Sequence, residues 1–143
     1  MSRDELEAVR RCIALFNEAV QGDKERRERF RREFASLVAP DLVWREDPVW
    51  PGADTFHGPD AVLSYLEGQL EEVWQEIDTR IDDIRELEEG RFLVLVHFDA
   101  RTHAGVPAQL DGAQVWAFRD GRVAEVAWYM DRRRALAELG VEP

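Results

Sequence analysis

Apolar residues recur at three- and four-residue spacing over the first turns of the chain: Leu6, Val9, Ile13, Phe16 and Val20 fall on one face of a helix running from about Arg3 to Gln21. Gly22-Asp23 breaks this helix and starts a second. Phe30, Phe34 and Leu37 form its narrow apolar stripe among Arg26, Arg27, Arg29, Arg31 and Arg32. Glu25, Glu28 and Glu33 are interleaved with those arginines, so i to i+4 pairing on a solvated helix accounts for them without a phosphate ligand. Pro40 closes the helix, and Asp41 to Arg45 reads as a short strand. The breaker-rich run from Pro48 to Gly58 reads as a loop. Pro59 suits the first turn of a third helix, whose apolar face is Val62, Tyr65, Leu66, Leu70, Val73 and Trp74.

From Ile77 the period changes to two. Ile77, Thr79 and Ile81 alternate with charged residues, Glu89-Gly90 marks a turn, and Phe92 to Phe98 is apolar on both faces. Leu110, Gln114, Trp116 and Phe118 share one phase of the next extended run, and Asp120-Gly121 is a two-residue hairpin signal into Val123 to Met130. Asp111-Gly112 is read as a bulge in one long bent strand, because a hairpin there would leave two very short strands. A short helix ends the chain, with Asp131 as N-cap and Gly140 as its stop. The order, helices first and then mostly antiparallel strands, predicts an α+β fold with a curved sheet around the N-terminal helices, one domain over residues 1–143.

Charge and cysteine content narrow the function classes. Lys+Arg 19 against Asp+Glu 30 gives a net charge of −11, which opposes nucleic acid and anionic membrane as partners. One cysteine, Cys12, excludes an internal disulfide framework and a cysteine-based zinc site, and no leader precedes an apolar run, so the expected location is cytoplasmic. No metal or cofactor is expected. The aromatic load, five Trp, seven Phe and two Tyr, is the compositional feature that calls for a function.

Several ordered stretches resemble the nuclear transport factor 2-like superfamily and, within it, the SnoaL-like proteins. They are Phe56-His57-Gly58-Pro59-Asp60-Ala61-Val62, Gly105-Val106-Pro107, Val115 to Val123, and Tyr129-Met130-Asp131-Arg132 leading to Leu139-Gly140. The resemblance implies a cone-shaped domain with a hydrophobic pocket open at one end, and a homodimer built on the outer sheet face. It also implies a range of activities, from isomerases, cyclases and dehydratases to ligand binders and adaptors, so fold alone does not name the reaction.

Trp44-Arg45-Glu46-Asp47-Pro48 is similar to the ketosteroid isomerase segment that carries the general base just before a proline, which makes Asp47 the expected base. The competing reading is a carboxylate that caps its loop or is solvated on it. That family's oxyanion donors, a first-helix tyrosine and a late-strand aspartate, fall by position near Cys12 and Gln114. Neither residue type is kept, although the Gln114 amide can still donate. His97, Asp99, Arg101 and His103 share one strand phase. If that face lines the pocket, His97 with Gln114 orients a polar group and Asp99 adds a ligand contact; otherwise the face is surface or interface. Trp44, Trp50, Phe56, Tyr65 and Trp116 are expected in the cavity wall, Tyr129 at the last strand's end beside it, and Trp74 and Trp128 in the plain core. The expected ligand is a small apolar or aromatic molecule.

Overall fold

The structure, a computed structural model, describes residues 3–20, 22–50 and 53–142. Gln21, where the first helix was expected to end, and Pro51-Gly52 lie outside them. The chain runs α1 (Arg3–Val20), α2 (Lys24–Leu37), β1 (Val38–Arg45), β2 (Thr55–His57), α3 (Pro59–Glu72), β3 (Trp74–Glu88), β4 (Arg91–Thr102), β5 (Pro107–Arg119), β6 (Arg122–Tyr129) and α4 (Arg132–Leu139). The sheet order is β2-β1-β6-β5-β4-β3, antiparallel throughout except for the parallel β1–β6 pair. The predicted α+β architecture, helices against a curved and unclosed sheet, is the one observed.

Local chemistry explains most boundaries. Asp23 caps α2 by accepting from the Arg26 N–H at 3.1 Å, and Pro59 occupies the first turn of α3. Asp131 caps α4 through the Arg133 and Arg134 N–H groups, and Gly140 ends it in the left-handed conformation at φ 66°. Asp120 and Gly121 both have positive φ, 53° and 77°, the requirement of the hairpin turn that joins β5 to β6.

Several local expectations are corrected. Two arginines of α2 reach across to a neighbouring helix and not along their own, Arg31 to Glu67 and Arg27 to Glu71 on α3, while Glu33 takes Arg11 of α1 at 2.8 Å. Pro40 lies within β1 and does not end α2, which stops at Leu37; the β1–β6 register jumps from Val38↔Val123 to Val43↔Glu125 around it, as a residue without an N–H requires. Thr55–His57, expected as loop, pairs with β1 as an edge strand. Trp74 opens β3 and is not on the third helix, because a continuous apolar run fits either period.

Asp111-Gly112 is neither hairpin nor bulge against β4: β5 is one strand whose pairing with β4 runs without a shift from Arg91↔Ala117 to Arg101↔Pro107. The glycine serves a close approach. A Cβ at Gly112 would lie 2.8 Å from the Tyr129 carbonyl oxygen and 3.3 Å from the Trp128 ring. Gly112→Ala is therefore expected to cost about 1–3 kcal/mol in urea denaturation, because a backbone atom cannot step aside. Gly68→Ala, in open space inside α3, is expected to gain about 0.5–1 kcal/mol from helix propensity.

The sheet's two faces carry separate clusters. Val94, Val96 and Phe98 face inward with α1, α2 and α3, whereas Leu93 and Leu95 face outward and pack with Ala113, Val115 and the Ala135 and Leu136 side chains of α4. Among the described residues no helix is long and apolar enough to cross a membrane.

Candidate functional site

Between the inner sheet face and the three N-terminal helices lies a cavity of about 110 Å³. That is smaller than the ~300–1,000 Å³ of drug-sized pockets and close to the ~150 Å³ cavity that takes up a benzene. The volume is about that of one ring. Half of the lining residues are aromatic, and all five tryptophans of the chain are among them. Trp44, Trp50, Trp116 and Tyr65 line it as expected. Trp74 and Trp128 were expected in plain core and also line it. Trp50 stacks on Trp74 with centroids 5.7 Å apart, and Phe98 meets the edges of both Trp74 and Trp128, so one connected aromatic wall results. Phe56 stands behind that wall, stacked on Tyr65 at 4.2 Å.

Glu46 is the only charged side chain in the lining among the described residues. It is half-buried and accepts from the Trp44 indole N–H. Burial raises its pKa from the ordinary value; the Trp44 and Tyr65 hydrogen bonds pull it down, and the Asp47 charge adds to the rise. Tyr65 is pushed up as well, by burial and then by the negative charge of Glu46, so its phenol stays a neutral donor. Among the described residues, Gln69, Thr79 and Gln114 are the other polar side chains of a mostly apolar lining.

Asp47, the expected base, is turned away from the cavity. Only 1% of it is exposed. Its Oδ1 accepts from the Val49 N–H at 3.1 Å, and its Oδ2 accepts from the Met130 N–H at 2.7 Å and from Arg134. Burial alone would raise its pKa, but these hydrogen bonds and the Arg134 charge outweigh it and hold the carboxyl below its ordinary value. The loop-capping alternative describes it better than the base role does. It ties the end of β1 to the start of α4.

Gln114 is 3% exposed, and its Oε1 accepts from Trp116 Nε1 at 2.8 Å. An indole nitrogen can only donate, so the amide orientation is determined and the Gln114 NH2 remains to donate in the cavity lining. Cys12, also in the lining, has its thiol pushed up to about 12 by burial despite nearby Arg11, and is an inert wall residue.

His97, Asp99 and Tyr129 are not in the cavity. His97 shares the outward phase of Leu93 and Leu95, with Nδ1 2.8 Å from Asp111 Oδ1. Asp99 is exposed on the same phase, where Gln109 donates to it at 3.3 Å. Tyr129 packs on the outer cluster with Arg134 5.8 Å from its ring centroid. The period of two correctly groups these positions but not on which side of the sheet they fall. His57 is exposed. Among the described residues no group of three or more His, Cys, Asp or Glu could hold a metal ion.

Glu46 was missed by sequence reasoning, though the signal existed. Trp44 was expected in the cavity wall, and the residue two positions along a strand points to the same side. The resemblance to an Asp-Pro base segment drew attention one residue too far.

The sequence matches no curated protein. Known structures of the same fold are numerous. An NTF2-like protein of unknown function from Burkholderia pseudomallei superimposes with a TM-score of 0.74 at 21% identity, covering 96% of this chain and 97% of that one. TerC, co-crystallised with polyporic acid, gives 0.72 at 20% identity over 95% and 97%. Rv0760c from Mycobacterium tuberculosis, in complex with estradiol-17beta-hemisuccinate, gives 0.68 at 13% identity over 90% and 94%. At these identities the likeness shows a shared fold. The SnoaL-like domain family itself matches residues 9–126, most of the chain and every element from α1 to β6, so this protein belongs to the SnoaL-like family of the NTF2-like superfamily.

Proposed function

We propose that this protein takes up a small apolar or aromatic molecule in the tryptophan-walled cavity and moves a proton on it through Glu46. The reaction class is a cofactor-independent isomerase, cyclase or dehydratase step. The observation that carries the reading is a chamber walled by every tryptophan of the chain and holding one ionisable carboxylate whose pKa is raised by burial. A carboxylate so shifted is better matched to proton transfer near neutral pH than an ordinary one. Tyr65 orients it, and the Gln114 NH2 is the donor available to an oxygen of the ligand. Asp47 and His97 have no place in this step, since each is engaged outside the chamber. Small organic molecules are bound in the structures of TerC and Rv0760c, which share this fold. The reading includes a cytoplasmic homodimer joined through the outer sheet face.

Exchange of an acidic C–H for deuterium tests the proton transfer without the natural substrate. Cyclohexanone, a single-ring ketone with exchangeable α C–H bonds, is incubated in D2O buffer with the protein and followed by proton NMR. The wild type is expected to accelerate exchange above the buffer rate, and Glu46→Gln to remove about 10²–10⁴-fold of that acceleration. Equal rates for the two proteins would refute the assignment; binding without exchange would favour a non-catalytic ligand-binding module.

The same variant makes a stability prediction. Because the folded-state pKa of Glu46 is raised, the folded protein holds that proton more tightly, and stability falls as pH rises from the unfolded value of about 4.3 through the folded one. Glu46→Gln removes this cost. Its melting temperature is expected to exceed that of the wild type by a few degrees at neutral pH and to converge with it near about pH 4. A variant that melts lower at neutral pH would contradict the raised pKa.

A further inference from the structure

The chamber's chemistry narrows its ligand beyond apolar and ring-sized, given the reading above that it binds a small molecule. No Lys, Arg or His contributes to its lining among the described residues, and Glu46 supplies the one formal charge. A carboxylate or phosphate ligand would therefore meet no counter-charge and one repelling charge. The donors left are neutral: the Gln69 and Gln114 amides, and the indole N–H groups, of which three of the five are engaged internally, Trp44 to Glu46, Trp50 to Tyr65, and Trp116 to Gln114. Acceptor capacity, by contrast, is left over. An ionised carboxylate offers about four lone-pair sites, and Glu46 interacts with two donors, Trp44 and Tyr65.

The aromatic wall acts in the same direction. Indole and phenyl rings carry negative faces that attract a cation, most strongly where water is excluded. The net charge of −11 on the whole chain favours approach of cations over anions. We propose that the chamber selects a small organic cation, a protonated amine on a ring-sized apolar body, with its N–H on Glu46 and its body against the tryptophan wall. An ammonium beside Glu46 favours the ionised form of the carboxylate, which is the form that accepts its N–H.

Three probes of one shape and three charges separate this proposal from the general reading: benzylammonium, benzyl alcohol and benzoate. Each is titrated into the protein at neutral pH with tryptophan fluorescence and calorimetry as readouts, and a thermal melt confirms that Glu46→Gln is folded. Benzylammonium is expected to bind the wild type about tenfold or more tighter than benzyl alcohol, the yield of one charge-assisted hydrogen bond, and benzoate not to saturate. In Glu46→Gln the ratio of benzylammonium to benzyl alcohol affinity is expected to fall to near unity. Equal affinities in the wild type, tighter binding of benzoate, or a ratio that survives the substitution would overturn the proposal. Benzyl alcohol binding without a cation preference overturns this inference alone, whereas failure of all three probes to bind removes the small-molecule reading with it.

Discussion

Asp47→Ala is expected to destabilise the protein by about 2–4 kcal/mol, chiefly because two backbone N–H groups lose a buried acceptor at roughly 1–3 kcal/mol each; the Arg134 side chain is 36% exposed, so solvent screens its share. The carboxylate is almost wholly enclosed and accepts from two backbone N–H groups and Arg134. Without it the Val49 and Met130 N–H groups lose their acceptor. Arg134 keeps only Glu138, 4.0 Å away on its own helix, as a counter-charge, and its Nε is buried without a hydrogen-bond partner among the described residues. The pH dependence follows from the depressed folded-state pKa of Asp47. Its contribution is present above the unfolded value of about 3.9 and is lost as pH falls through the folded one, so wild type and variant should converge in strong acid. Urea denaturation at neutral and acid pH measures both quantities. If the alanine variant does not fold, Asp47→Asn, which keeps an acceptor oxygen but no charge, should fold with a smaller loss. Wild-type stability in either variant at neutral pH would show that the β1–α4 tie is not structural.

Trp116→Ala is expected to cost a similar ~3–5 kcal/mol. The side chain is 2% exposed, it is among the largest fully buried groups, and its N–H holds the Gln114 oxygen. Two contributions are separable. Trp116→Phe restores most of the packing but leaves the Gln114 oxygen unsatisfied, for an expected loss of about 1–3 kcal/mol. The alanine variant adds the volume lost from the wall, and so should also admit ligands larger than a single ring. Equal losses in the two variants, measured by urea denaturation, would mean that the hydrogen bond and not the packing dominates.

These two residues show where local information ends. Trp116 was legible as a cavity residue because Leu110, Gln114 and Trp116 share a strand phase and one apolar side of the sheet had to face the helices. Asp47 was legible as a residue of consequence beside Pro48, but its role depends on Met130 and Arg134, |i−j| = 83 and 87 positions away. No local pattern reports a partner at that distance.

What the amino-acid sequence determined by itself is what short-range physics controls. Helical spacing set the faces of α1 and α2, Asp23 and Asp131 capped their helices, Gly140 stopped α4, and Asp120-Gly121 turned β5 into β6. Residue order then specified helices followed by a mostly antiparallel sheet. Tertiary structure decided three things that a period of two or a propensity leaves open. It chose which side of β4 faces the chamber, sending His97 and Asp99 outward. It turned Glu46 in and Asp47 away, and it recruited Trp74 and Trp128 into the wall. In each case the alternatives are nearly equal along the chain, and they are separated by desolvation: a carboxylate or an indole takes the side on which its hydrogen bonds and its apolar surface can both be satisfied, and that side exists only once distant strands have closed over the helices.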